Sequence, residues 1–505
     1  MYPRLFENVL RQYKQNRNYI SSIIREQYVG KTISDATSRN IDLLKEHNTL
    51  TIITGQQLGI GTGPLYTLYK LLTVVKLAKQ LNDDFDNFNF VPVFWLAADD
   101  HDFEEISTIS IINKENKLVK VKYTDGFPED GVRNSMANTV IADSIKEFIQ
   151  TIANELRDTE FKQGLIEKLE LAYQPGKSIK TAFKDFAFSL FDHLGIIIFD
   201  PTDIKVKELL KPIFTKEINE FRTHTEKLIN VSAQLEEVYH TQVKVRPINL
   251  FMTYENSRHL IEPTEDNDYR LKRKRVRFTK QELLDLIEKS PALFSANVLL
   301  RPVTQDYLFP TAAYIGGPGE LSYFAQVSAL YNFFDVPTPL IYPRSSVGIL
   351  EKYVSSVLEK YSIKIQEVYV NGDGAREKIL SVVSDVDLTK NYYETRERML
   401  TSFEMYRSLV SDIDKTMGDA GLRTKQKIEG LLEEYFSKSS DAMRKKYDVI
   451  LNQYEKVSTN LYPDSVLQER EYSLLYFLNK YGEGFITKVY DELSVNQFEH
   501  QIISI

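Results

Sequence analysis

Apolar positions along this chain recur with two different periods, and the switches between them mark its elements. Residues 49–54 (TLTIIT) are β-rich and read as a buried strand. Gly55, Gly59, Gly61 and Gly63 then punctuate a loop, Pro64 suits a first helical turn, and Leu65, Leu68, Leu72, Val75 and Ala78 recur at helical spacing. Residues 90–97 (FVPVFWLA) form a second apolar strand. Strand, glycine-rich loop, helix, strand is the rhythm of a parallel sheet. Such a loop lies at the carboxyl ends of the strands, where free N–H groups at a helix start attract anions. Gly59-x-Gly61-x-Gly63 matches neither the dinucleotide fingerprint nor a Walker A loop, so it reads either as a tight βα turn or as a ligand loop. Thr54, Gln56 and Gln57 at the strand end, and Tyr66, Tyr69 and Lys70 on the polar side of the helix, favour a ligand.

The same reading divides the rest of the chain. Residues 1–105 are the first part of a Rossmann-like core, and 106–150, with short strands around polar turns, are a first insertion. Residues 151–240 resume the core and include a third strand ending at Asp200, either a ligand-facing acid or a turn-forming Asp-Pro. Residues 241–296 are a second insertion containing RLKRKRVR (270–277), a basic run that reads as a strand with solvated charges or as a face for an acidic substrate. In 297–375, AAYIGGPGE (312–320) repeats the order of strand, glycines, proline and helix, and residues 339–344 form a strand that ends in Arg344. Met399, Phe403, Tyr406, Val410, Ile413 and Met417, then Met443, Tyr447, Ile450, Tyr454, Val457 and Leu461, follow heptad spacing, which predicts an antiparallel helical hairpin over 376–461 turning at 418–421. Residues 462–505 return to the core.

Composition narrows the function. Lys and Arg total 63 against 71 Asp and Glu, a net charge of -8 that argues against a general nucleic-acid binder. With no cysteine, any thiol chemistry belongs to a substrate. No signal-peptide core and no run of roughly 20 apolar residues is present, so the expectation is a soluble cytoplasmic protein. Candidate chemistry concentrates in ADDHDFEE (98–105), too many charges to bury without compensation. It offers His101 as a base tuned by Asp100 and Asp102; alternatively Asp99 or Asp100 caps the following helix. Metal binding is not expected, because consecutive residues rarely converge on one ion.

TGQQLGIGTGPLYTLYK (54–70), VPVFWLAADDHDFEEI (91–106), NVLLRPVTQDYLFPTAAYIGGPGELSYFAQ (297–326) and YPDSVLQEREYSLLYFLNKYG (462–482) together resemble the bacillithiol biosynthesis cysteine-adding enzyme family, over essentially the whole chain. The resemblance implies a nucleotidyltransferase-like parallel core with inserted segments, and a coiled-coil that supports a homodimer. It also implies a reaction joining cysteine to glucosaminyl malate. His101 is then the base or the group that orients the amine, with Asp100 and Asp102 setting its pKa. The first glycine loop, with Gly61, and the N–H groups from Gly63 then hold phosphate or malate carboxylates, with Lys70 and Arg344 as countercharges. Gln56, Gln57, Gln305 and Glu320 suit sugar hydroxyls or amines, Gly317, Gly319 and Tyr323 line the second glycine turn, and Gln468 and Arg470 either contact a second, nucleotide-type ligand or lie on a helix surface. ATP or another nucleotide is the expected activator, although HIGH, KMSKS and Walker A motifs are absent and no motif defines it. The competing readings are a transferase acting on a sugar nucleotide and a non-catalytic coiled-coil scaffold.

Overall fold

The computed structural model describes residues 2–128, 131–370, 374–376, 378–379 and 387–505. Within the expected hairpin, 377, 380 and 381–386 lie outside these residues. The chain forms two compact units, Met1–Gly348 with Glu469–Ile503 and Ile349–Gln468 with Ser504–Ile505.

The first unit is built in chain order from β1 (Thr49–Gln56), β2 (Asn89–Leu96), the hairpin β3 (Thr108–Ile112) and β4 (Leu118–Lys122), β5 (Ile197–Phe199), β6 (Leu250–Tyr254), β7 (Ser257–Pro263), β8 (Tyr269–Leu271), β9 (Arg277–Phe278), β10 (Phe294–Ala296), β11 (Thr311–Gly316) and β12 (Leu340–Pro343). Five of these make the core sheet, in the order β12-β11-β1-β2-β5, with every pairing parallel. A parallel sheet is covered on both faces, which is why burial does not alternate along β1 and β2 and why seven of the eight residues in each are buried. Trp95, Phe199 and Phe309 pack through this core at centroid separations of 5.4 and 4.8 Å, the second pair edge to face. Each such ring buried contributes on the order of 1.5–3 kcal/mol.

From β1 the chain crosses through the helix Leu65–Asp84 to β2 on one side, and from β11 it crosses through the helix Pro318–Phe334 to β12 on the other. Because β1 and β11 are neighbours, the winding direction reverses between them, and a crevice opens outside their carboxyl ends. Within the expected second insertion, five strands form an antiparallel sheet, β10-β6-β7-β8-β9.

In the second unit, the helices Leu388–Ile413 and Lys415–Lys446 run antiparallel, with Tyr392 stacked on Phe436 at 4.2 Å and Arg396 paired with Glu429 at 3.0 Å. The turn is at Asp414, not at 418–421 as the spacing suggested. Asp414 Oδ1 accepts from the Thr416 N–H and hydroxyl, which starts the second helix there. Gly418 and Gly421 are helical instead, and serve close packing. A Cβ on Gly421 would stand 2.5 Å from Arg407 Cγ, and one on Gly418 2.7 Å from Ser411 Oγ. A second break at Tyr447 precedes the helix Asp448–Leu461, whose Tyr454, Val457 and Leu461 pack with Val354, Val357 and Tyr361.

Candidate functional site

A cavity of about 980 Å³ opens at the carboxyl ends of β1, β2 and β11. Gly55, Gln56 and Gln57 reach it from β1, Tyr66 and Lys70 from the next helix, and Asp99, Asp100 and His101 from the end of β2. Gly317, Gly319, Glu320 and Tyr323 enter from the second glycine turn and its helix, Arg344 from the end of β12, and Arg470 from the returning segment. The β1 end at Gly55–Gln57, the second glycine turn and the acidic-histidine segment therefore share one pocket, whereas Gly59, Gly61 and Gly63 do not line it.

Two cations expected to be free for a ligand are already matched. Lys70 pairs with Glu320 and donates to Gly55 O at 2.9 Å and Gln56 Oε1 at 2.8 Å. Burial lowers the Lys70 pKa against the opposing pull of Glu320. Burial pushes the Glu320 carboxyl up, but Lys70, the Tyr314 hydroxyl and the Gly317 N–H together hold it below its ordinary value. Arg344 is neutralised by Glu469, through two bonds of 2.6 and 2.9 Å. The Arg344–Glu469 pair is nearly dry and Lys70 is buried against a partly exposed Glu320, so each cation is committed to its carboxylate.

The cavity's uncommitted charge comes from elsewhere. Arg258 of β7 donates to Ser295 Oγ at 2.9 Å, Ala296 O at 2.9 Å and His101 Nδ1 at 3.1 Å, and its guanidinium covers the Phe251 ring at 3.8 Å. Arg301 donates to Gln305 Oε1 and to the Tyr314 hydroxyl, both at 3.1 Å. Among the described residues neither arginine has a carboxylate within ion-pair distance, and both line the cavity. Lys244, Arg246, Lys272 and Arg273 add charge from the insertion, so cations outnumber the four lining carboxylates, Asp99, Asp100, Glu105 and Glu320. The basic run divides. Lys272 and Arg273 line the cavity, while Arg270 pairs with Glu262 at 3.0 Å and Arg277 with Asp266 at 3.3 Å.

The acidic segment also divides. Asp99 pairs with Lys207 at 2.9 Å, and Gln57 Nε2 donates to Asp100 Oδ2 at 2.8 Å and Glu105 Oε2 at 2.5 Å, holding two carboxylates side by side. Burial raises the Glu105 pKa. The helix cap is Asp102, not Asp99 or Asp100: its Oδ1 accepts from the Glu105 N–H at 3.3 Å, and Asp102 is not among the lining residues. Nor do Asp100 and Asp102 set the His101 pKa. Burial first, and Arg258 second, lower it, and the two acids only partly oppose them.

Several expected site residues serve the fold. Thr54 Oγ1 donates to Ile315 O at 2.8 Å, tying β1 to β11, and Tyr69 is fully buried. The first glycine loop does not offer its N–H groups to an anion: Gly61 N–H donates to the Tyr173 hydroxyl at 3.1 Å and Gly63 N–H to Ile60 O at 3.1 Å. Gln305 is buried behind Arg301, and Asp200 pairs with Lys180 at 2.7 Å. Gln468 belongs to the second unit, where it exchanges hydrogen bonds with the Ile349 backbone at 2.7 and 3.1 Å; Arg470 alone of that pair lines the cavity. Sequence reasoning passed over Arg258, Arg301, Lys207 and Tyr314. Arg301 and Tyr314 stand inside the stretch that carried the family resemblance, whereas nothing local singles out Arg258 or Lys207.

A parallel sheet with a polar, cation-rich cavity at its switch point defines a Rossmann-like protein with a small-molecule site. The chain belongs to the bacillithiol biosynthesis BshC family, whose N-terminal Rossmann-like domain matches residues 1–345 and whose C-terminal coiled-coil domain matches residues 347–505. Relatives named "Putative cysteine ligase BshC" include one from Salinibacter ruber, 32% identical over 97% of this chain and 89% of its own length. Another, from Chloroherpeton thalassium, is 33% identical over 92% of this chain and 85% of its own.

Proposed function

We propose that the protein is a cysteine ligase that joins the cysteine carboxyl to the amine of glucosaminyl malate, the final step of bacillithiol formation. Family membership and the names of its relatives support the reaction class. The observation that carries the substrate is the pair of arginines, Arg258 and Arg301, held in the cavity wall without a carboxylate in contact. A guanidinium fixed by neutral partners is suited to a ligand carboxylate, and malate brings two. The Asp100 and Glu105 carboxylates clamped by Gln57 suit the glucosamine nitrogen, and Gln56, Tyr66, Gly317, Gly319, Glu320 and Tyr323 line the space between for sugar hydroxyls.

In this reading a new C–N bond forms between the cysteine carboxyl carbon and the glucosamine nitrogen. One amine proton passes to a carboxylate of the Gln57 clamp, and the leaving group on the carboxyl departs with the bonding pair. His101 orients the reacting groups, the second of its two expected roles. A nucleoside triphosphate is the class of co-substrate that activates a carboxyl for such attack. The reaction belongs in the cytoplasm, and among the described residues no helix is long and apolar enough to cross a membrane. Exposed Leu409, Ile413, Leu431 and Tyr435 on the paired helices support a homodimer through that hairpin.

Incubation with glucosaminyl malate and cysteine, with and without ATP, followed by mass spectrometry, tests the assignment. The expected result is a cysteine-dependent product with the mass of bacillithiol. Product from a sugar nucleotide alone would favour a transferase, and none under any condition would sink the ligase reading.

A further inference from the structure

His101 and Arg258 stand 157 residues apart in sequence, and their contact carries a consequence for the site's chemistry. A guanidinium has five N–H donors and no acceptor, so a contact of 3.1 Å between Arg258 Nη1 and His101 Nδ1 requires a lone pair on Nδ1. In a neutral imidazole the proton is then on Nε2. We propose that Arg258 is the positioning residue of the site: it holds His101 as the Nε2–H tautomer, so that His101 gives a hydrogen bond to a ligand oxygen rather than taking a proton from the substrate.

Arg258 is in no position to turn away. Its Nε–H and one N–H of Nη2 go to Ser295 Oγ and Ala296 O, both at 2.9 Å, and the Phe251 ring lies beneath its charge at 3.8 Å, leaving two of the five N–H groups for a ligand. Only 7% of the residue is exposed, so another rotamer would leave buried donors unsatisfied. Phe251 also backs the imidazole at 5.9 Å, so both side chains share one aromatic wall.

The surrounding charges keep the ring neutral. Arg258 and His259 reach His101 from β7, and Asp100 and Asp102 flank it on its own segment. Burial and the guanidinium outweigh the two acids, and the imidazole pKa falls below its ordinary value, so a second proton does not bind at neutral pH. What remains is a fixed, uncharged donor beside the cavity. The class of group it recognises is a carbonyl or carboxylate oxygen. On the ligase reading, on which this part of the inference rests, that oxygen belongs to the cysteine carboxyl, which gains negative charge as the amine attacks.

Nuclear magnetic resonance of the full-length chain carrying ¹⁵N-labelled histidine tests this, with the His101 signals assigned by their loss in His101→Gln. At pH 7 the wild-type ring is expected to show a bare Nδ1 and a protonated Nε2. Arg258→Met, which keeps an apolar stem over Phe251 but has no donor, is expected to give a mixture of tautomers. A wild-type His101 protonated at Nδ1 or at both nitrogens overturns the proposal, and so does an Arg258→Met protein that folds and keeps only the Nε2–H form. If Arg258→Met does not fold, the wild-type spectrum still decides. The spectra need no substrate, so failure of glucosaminyl malate to react would remove the ligase reading and leave this result standing. On that reading, His101→Phe should lower kcat by about 10²–10³-fold, the range for losing one such donor, with partial rescue in His101→Gln.

Discussion

Lys70, in the second turn of the helix that follows β1, and Glu320, in the first turn of the helix that follows β11, meet in an ion pair across the switch point. The pair joins the two glycine-rich turns and also forms part of the cavity wall. It converts two strand ends into one surface.

Lys70→Met leaves Glu320 with only the Tyr314 hydroxyl and the Gly317 N–H for its charge. Because the Glu320 side chain keeps 21% of its surface in solvent, the expected loss is about 2–4 kcal/mol, at or below the usual cost of stranding one member of a buried pair. Urea unfolding reads it directly. The Glu320 pKa is depressed in the folded state, so its stabilisation is present above the ordinary carboxylate range and disappears as pH falls through the folded value. The gap between wild type and Lys70→Met should therefore narrow in acid, and Lys70→Met with Glu320→Gln should recover part of the loss.

Asp306 behaves in the opposite sense. Burial raises its carboxyl to about 6, against hydrogen bonds from Tyr331, Thr311 and Gln305. The folded protein then binds this proton more tightly than the unfolded chain does. The contribution is fully present below the ordinary Asp value and is lost as pH rises to about 6. A fall on the order of 2–3 kcal/mol across that window is expected from this group. In Asp306→Asn the corresponding slope should vanish, as judged by denaturant midpoints of the two proteins at several pH values.

Two glycines, one in each glycine-rich turn, should respond differently to alanine. Gly61 has φ +63°, and an added Cβ would stand 2.8 Å from Leu475 Cδ1, so Gly61→Ala should cost about 1–3 kcal/mol. A Cβ on Gly319 meets nothing within 4 Å, so Gly319→Ala should leave stability within about 0.5 kcal/mol. Thermal unfolding of the two variants separates them.

Self-association through the hairpin makes a prediction of its own. Leu409 and Ile413 are 66% and 85% exposed on the helix Leu388–Ile413. Leu409→Asp with Ile413→Asp should abolish a dimer in sedimentation equilibrium while helical circular dichroism is unchanged. A wild-type protein that sediments as a monomer would remove the proposal outright.

Much of the architecture was legible because period and punctuation are local properties. Residues 90–96 are an unbroken apolar run and 49–54 a β-rich one of threonines and aliphatics, a pattern that suits strands covered on both faces. The face of the helix Leu65–Asp84 was harder to read. It is buried nearly all round, so Tyr69 and Lys70, adjacent in sequence and both polar at their tips, have different fates: Tyr69 sinks into the core and Lys70 reaches the cavity. Glycine spacing likewise cannot say whether backbone N–H groups are free, and those of Gly61 and Gly63 are taken by Tyr173 and Ile60. Charge was the least legible property. Arg344 looks available until Glu469 is seen beside it, and Arg258 looks like one cation of an insertion until it is found against His101. Local spacing holds no record of either partner.

Part of the first unit is made last. Glu469 neutralises Arg344, Tyr472 O takes the Leu65 N–H at 2.8 Å, and Leu475 lies under Gly61. While a ribosome is still translating the long helices, the emerged core lacks all three contacts, and its strand ends carry a buried arginine with no counterion. The nascent chain is thus an incomplete receptor, and its ligand site reaches final form only once residues 469–475 have been synthesised.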